Sequence, residues 1–169
     1  MTEKTVETFD PQELLWMREA MQLAERAGDE GEIPIGAVIV KDCKIIGRGW
    51  NRNIGLNDPS AHAEIMAMRE AGAVIGNYRL VGCSLYVTLE PCPMCAGAMI
   101  HARLDRIVYG ANDPKTGAAG GKFDLLCDPA HNHAPAVKGG CLEDECSSRL
   151  KEFFRKRRKP GTFPEAPQS

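Results

Sequence analysis

Apolar positions along the chain change period several times, and each change marks an element. Leu14, Leu15, Met17, Met21 and Ala24 recur at near-helical spacing, which predicts a helix over 11–28. Asp10 stands at its N-cap, Pro11 at the first helical position and Gly28 at its end. Two short apolar runs, 35–40 and 44–50, flank Asp42-Cys43 and read as a β-hairpin. Residues 51–60 carry Asn, Gly, Asp and Pro and read as a loop. A second helix, rich in Ala, Met and Glu, is expected over 61–72. The alternating, β-branched SLYVTL of 84–89 predicts a strand. Pro91 opens a third helix running to about Ala102, followed by a strand over 106–110. Residues 111–135 read as loop with a turn near 123–126, and 136–138 as a last short strand. A terminal helix is expected over 143–158, with Leu150, Phe153 and Phe154 directed inward. The tail from Pro160 holds three prolines and reads as disordered.

A hairpin followed by strand, helix, strand, helix implies an α/β sheet with helices on both faces. The crossover from 84–89 through 91–102 to 106–110 should make a parallel pair. Sites in such sheets lie at the carboxyl ends of strands, beside helix N-termini. With 169 residues, one domain over 1–159 is expected, ahead of the tail 160–169. A hydrophobic fraction of 43% excludes disorder throughout. The longest apolar stretch, 33–40, is interrupted by Pro34 and Gly36 and is too short to span a membrane. The N-terminus is acidic and polar, so no secretory signal is read there. Seven cysteines, an odd number unevenly spread, suit a reducing, cytoplasmic setting better than a disulfide framework.

The net charge of −2 hides an asymmetry. Between Arg149 and Lys159, seven cations face the single acid Glu152. Such a run on an otherwise acidic chain suits contact with phosphates. It equally suits a solvated helix end, where cations complement the helix dipole.

Both motifs that carry chemistry fall at predicted helix starts: His62-Ala63-Glu64 and Pro91-Cys92-Pro93-Met94-Cys95. Cysteines at i and i+3 on one helical turn can clasp a single metal ion, and a helix N-terminus lowers thiol pKa. Alone, the Cys-x-x-Cys could be a redox pair, and the His-x-Glu could merely cap a helix. Together, about 30 residues apart with a strand between them, they match the H-x-E…P-C-x-x-C signature of zinc nucleobase deaminases. Two thiolates, one imidazole and an open fourth position describe a catalytic rather than a structural zinc. Such a zinc lowers the pKa of its water toward about 7. Glu64, two residues after a ligand, is placed to move protons between that water and the substrate.

The likeness extends well beyond these motifs. The stretches EIPIGAVIV, GWNRNIGLNDPSAHAEIMAMREA, NYRL, LYVTLEPCPMCAGAMIHARLDRIVYGANDPKTGAAG and EFFRKRR resemble the bacterial-type tRNA-specific adenosine deaminases, from about Leu14 to Arg158. The resemblance implies hydrolytic conversion of adenosine to inosine at wobble position 34 of a tRNA, an arginine tRNA in that family. It implies a three-layer cytidine-deaminase-like fold, with about five strands in a mixed sheet between helices. It also implies a homodimer acting on an anticodon stem-loop. Zinc falls to His62, Cys92 and Cys95, and proton transfer to Glu64. Asn51 would hydrogen-bond the base or its ribose, the backbone of Ala63 would read the base edge, and Ile33 and Pro34 would line the base pocket. Asp113, Lys115, Phe154, Arg155 and Arg158 would contact the RNA. One departure stands in the loop after GAAG, where Gly121, followed by Lys122, takes the place of the family's common Ser.

Read without the resemblance, Asn51 suits a turn after a strand, and Asp113-Pro114 a turn start. Phe153 and Phe154 lie about 100° apart on a helix, so they cannot face the same core. Cys43, Cys83, Cys127, Cys141 and Cys146 lack metal spacing. The same zinc chemistry would also serve a deaminase of a free base or nucleoside such as guanine or cytosine. A zinc-stabilised scaffold that has lost catalysis is a third reading, which the presence of Glu64 argues against.

Overall fold

The computed structural model describes residues 8–158. The expected tail and Lys159 lie outside them. Helix α1 (Pro11–Asp29) starts as the sequence predicts. Asp10 accepts hydrogen bonds from the backbone N–H groups of Gln12 and Glu13, and the Glu13 side chain reaches back to the Asp10 N–H. Such a capping box contributes about 1 kcal/mol. The helix runs one residue past Gly28, and Leu15 is 57% exposed rather than buried. The buried stripe is Met17, Ala20, Met21, Ala24 and Ala27, a closer fit to 3.6-residue spacing.

Strands β1 (Gly36–Lys41) and β2 (Lys44–Trp50) form the expected hairpin, with a register shift between Ile39 and Val40. The predicted loop 51–60 contains a short helix, α2 (Asn53–Leu56). The buried carboxylate of Glu32 holds its start by accepting the Ile54 N–H at 2.7 Å, a contact from 22 residues away that periodicity cannot reveal. Helix α3 (Ala63–Ile75) follows and ends at Gly76, whose φ of 76° suits glycine. The remaining elements are β3 (Ser84–Leu89), α4 (Pro93–His101), β4 (Arg106–Ala111), β5 (Ala136–Lys138) and α5 (Glu143–Arg157).

The strands form one five-stranded mixed sheet in the order β2-β1-β3-β4-β5. β1 is antiparallel to both β2 and β3, whereas β3–β4 and β4–β5 are parallel. Alternation along the strands divides the side chains between two cores. Ala37, Ile39, Leu85, Val87, Ile107 and Tyr109 face α3 and α4. Val38, Val40, Tyr86 and Val108 face α1 and α5. The result is the expected three-layer arrangement of helices, sheet, helices.

Two close approaches set the spacing of these layers. A Cβ on Gly36 would stand 2.0 Å from the Ala20 carbonyl oxygen of α1, and one on Gly49 would stand 2.1 Å from that of Ala63 in α3. No side chain fits at either position, so helix backbone lies directly on strand backbone. Gly49→Ala is expected to cost about 3 kcal/mol by forcing α3 off the sheet. For a chain of this size that lowers Tm by roughly 10 °C. Thermal unfolding reads it directly, and an unchanged Tm would show that α3 can slide away freely. Across the other face, Glu13 ties α1 to the sheet by accepting hydrogen bonds from Arg106 Nε (3.1 Å) and Tyr86 Oη (3.4 Å). Among the described residues, no helix is long and apolar enough to cross a membrane.

Candidate active site

The site is built on the starts of α3 and α4, which lie side by side on the face of the sheet opposite α1. His62 is the N-cap of α3, and Glu64 lies in its first turn. Cys92 is the N-cap of α4, and Cys95 stands three residues on. His62 Nδ1 lies 3.5 Å from Cys92 Sγ and 3.4 Å from Cys95 Sγ. All three donor atoms fall within 4.8 Å of one another.

These distances fit a zinc ion. Zn–S bonds of about 2.3 Å and Zn–N bonds of about 2.0 Å at a tetrahedral angle place nitrogen and sulfur about 3.5 Å apart. His62, Cys92 and Cys95 are thus positioned to hold zinc by three protein groups, leaving a fourth place for water or substrate. Among the described residues, no other cluster of His, Cys, Asp and Glu offers such a set.

The three donors are electrostatically coupled and share protons among themselves. Hydrogen bonds from the Cys95 thiol and from His62 push the Cys92 thiol down to about 4. Cys95 moves up, because it shares its proton with the Cys92 thiolate and is buried. His62 is raised, chiefly by its hydrogen bond with Cys92. Glu64 is 4% exposed, and burial raises its carboxyl above the ordinary range. A carboxyl shifted that way takes and returns protons near neutrality more readily than an exposed one.

His62, Cys92 and Glu64 line a cavity of about 650 Å³. Its walls come from four separate parts of the chain. Ile33 and Ile35 flank its entrance from the segment before β1, and Asn51 follows β2. The 111–116 loop after β4 and the inner side of α5 supply the rest, including Leu150, Phe154, Arg155 and Arg158. Asp113, Lys115, Phe154, Arg155 and Arg158, far apart in sequence, therefore line one cavity. α5 is held there by Arg18 on Glu145 (3.0 Å), Arg149 on Glu25, and Arg157 on the Gly31 carbonyl oxygen.

Other expected residues have the following surroundings. Pro34 is buried off the wall near Gly28, because alternate residues of an extended segment face opposite ways; Ile35 takes its place beside Ile33. Of the Ala63 backbone, expected to read a base edge, the N–H donates to Asn51 Oδ1 at 2.8 Å. That bond fixes the Asn51 amide and leaves Nδ2 as the donor available to a ligand. Phe154 is 41% exposed and faces the cavity rather than the core, while Phe153 is half-buried under Arg157. The Asp113 carboxylate is engaged within its own turn, accepting from the backbone N–H groups of Lys115 and Thr116 and from Thr116 Oγ1.

One residue of the site went unforeseen. Glu90 at the end of β3 is 3% exposed and accepts three backbone N–H groups from the 113–121 loop. Gly117 and Gly121 are the nearest sequence sign of it, since glycine recurs where backbone must approach another group closely.

Comparison with known proteins agrees with this geometry. Residues 11–111 match the cytidine and deoxycytidylate deaminase zinc-binding region. A tRNA-specific adenosine deaminase of Haemophilus influenzae is 54% identical over 143 residues, covering 84% of this chain and 83% of the relative. One from Bacillus subtilis is 46% identical over 148 residues, 88% of this chain and 92% of the relative. A solved structure from work on A-to-I editing by tRNA:A34 deaminases superposes with a TM-score of 0.78 at 46% identity, covering 80% of this chain and 98% of that one. The zinc clasp, the buried glutamate and this degree of identity over most of the length together place the chain in the tRNA-specific adenosine deaminase family, within the cytidine and deoxycytidylate deaminases.

Proposed function

We propose that this protein deaminates adenosine to inosine at wobble position 34 in the anticodon stem-loop of an arginine tRNA, in the cytoplasm and as a homodimer. The observation that carries the reading is the joining of a zinc clasp and a buried glutamate to a cavity that an exposed phenylalanine and several cations also line.

When bound, zinc supplies a water of lowered pKa as the nucleophile. Glu64 takes the two protons of that water in turn, passing one to the purine ring nitrogen and the other to the departing amine, so that inosine and ammonia are the products. Asn51, its oxygen committed to Ala63, turns Nδ2 toward the base or its ribose. Ile33 and Ile35 supply the apolar side of the base pocket. Phe154 offers a face on which a flanking base can stack, and Arg155, Arg158 and Lys115 meet phosphates. A homodimer is supported by the apolar groove between α3 and α4, lined by Ile65, Met68, Tyr78 and Ala98, with Val74 and Tyr78 64% and 70% exposed.

A deaminase of free bases needs the clasp and Glu64 but has no use for a cationic lining. The test is a deamination assay on zinc-analysed protein, with the stem-loop, free adenosine, guanine and cytosine as substrates. Inosine in the stem-loop alone is the expected result. Turnover of a free base with none of the stem-loop would overturn the substrate and keep the clasp.

A further inference from the structure

Glu90 is a buried carboxylate that the proton transfers above do not use. Burying a carboxylate is costly unless donors surround it. Its donors come from one loop, whose residues 113–116 line the cavity. Oε1 accepts the Asp113 N–H at 3.0 Å, and Oε2 accepts those of Ala119 at 3.0 Å and Gly121 at 2.8 Å. The Ala118 N–H adds a tie to the Pro91 carbonyl oxygen at 2.7 Å.

The loop fits closely around this group. A Cβ on Gly117 would stand 2.3 Å from Glu90 Cδ, and one on Gly121 would stand 2.6 Å from Oε1 and 2.3 Å from the Asp113 carbonyl oxygen. Gly117 and Gly121, the latter where the loop departs from the common family residue, thus both let it close. Converging backbone N–H groups of this kind form anion cradles; here the anion is a side chain of the protein itself. Glu90 stands two residues before Cys92, so it joins the metal-binding helix start to the loop bearing Asp113 and Lys115.

We propose that Glu90 is a positioning residue for the polynucleotide: by gathering the 113–121 loop it sets the affinity for an RNA anticodon loop and leaves the chemistry to the groups around the clasp. The proposal rests on the RNA-directed reading above.

Glu90→Gln keeps one acceptor oxygen but points an amide N–H₂ at backbone N–H groups. In the zinc-loaded protein, KM for the stem-loop is expected to rise about tenfold, with kcat within about threefold. Zinc content should stay equal to wild type. Amide hydrogen exchange at Asp113, Ala119 and Gly121 should quicken about tenfold. Lys115→Ala should raise KM alone yet add less than about twofold in the Glu90→Gln background, because both act through one loop. An unchanged KM, a fall in kcat alone, or fully additive effects would each overturn the proposal. Should Glu90→Gln lose zinc, Gly121→Ala, which forces the loop off an intact Glu90, carries the same comparison. If wild type does not deaminate the stem-loop, the RNA-directed reading has failed by itself. Fluorescence anisotropy then decides the Glu90 proposal: about tenfold weaker stem-loop binding in Glu90→Gln supports it, and equal or absent binding in both proteins overturns it.

Discussion

Glu64→Gln is expected to lower turnover of the stem-loop about 1,000-fold, within the range that a positioned acid–base group contributes. It should leave one zinc per chain in place. The side chain is buried and sits in the first turn of α3, outside the three-donor cluster. Glutamine fills the same volume, so packing and metal binding persist. What disappears is a group able to accept a proton and return it. Single-turnover kinetics beside metal analysis separate the two effects, and turnover within tenfold of wild type would move proton transfer to another group.

The second large effect is expected at the clasp. Cys95→Ser should reduce bound zinc to below about a tenth per chain and abolish deamination, since an alcohol is not a thiolate donor. Stability should fall as well. Cys95 is fully buried in the core beneath α4. An ion present at 1,000 times its Kd contributes about 4 kcal/mol to the folded state. Wild type stripped by a chelator should therefore melt early too, and added zinc should restore it but not the variant. Full zinc content in Cys95→Ser would refute the assignment of the clasp.

Much of this fold was legible along the chain because its elements are locally consistent. The capping residues of α1, the alternation of β3 and the Pro-Cys start of α4 each act within a few residues of themselves. The clasp was legible for the same reason, as two short motifs at helix starts. The features that escaped depend on contacts over long separations. α2 forms where Glu32 reaches Ile54, 22 residues on. Glu90 gains its meaning from N–H groups 23 to 31 residues later. The Ala63 N–H is taken by the side chain of Asn51, 12 residues earlier. Phe154 looks inward by hydrophobicity alone, yet the adjacent Phe153 occupies the more buried position. Each of these is a competition between partners, and a one-dimensional pattern names the competitors without naming the winner.

The attachment of α5 to α1 bears on how the molecule comes off the ribosome. Cys95, the last of the three donors in chain order, is made before the segment with Phe154, which is anchored by residues made earlier still, among them Arg18, Glu25 and Gly31. A nascent chain halted after β4 would carry all three zinc donors. It would also leave Tyr86 and Val108 without the cover of Cys141 and Cys146. Metal capture and acquisition of the cationic wall are thus separate events in the life of each chain, and the interval between them is when it most needs protection from aggregation.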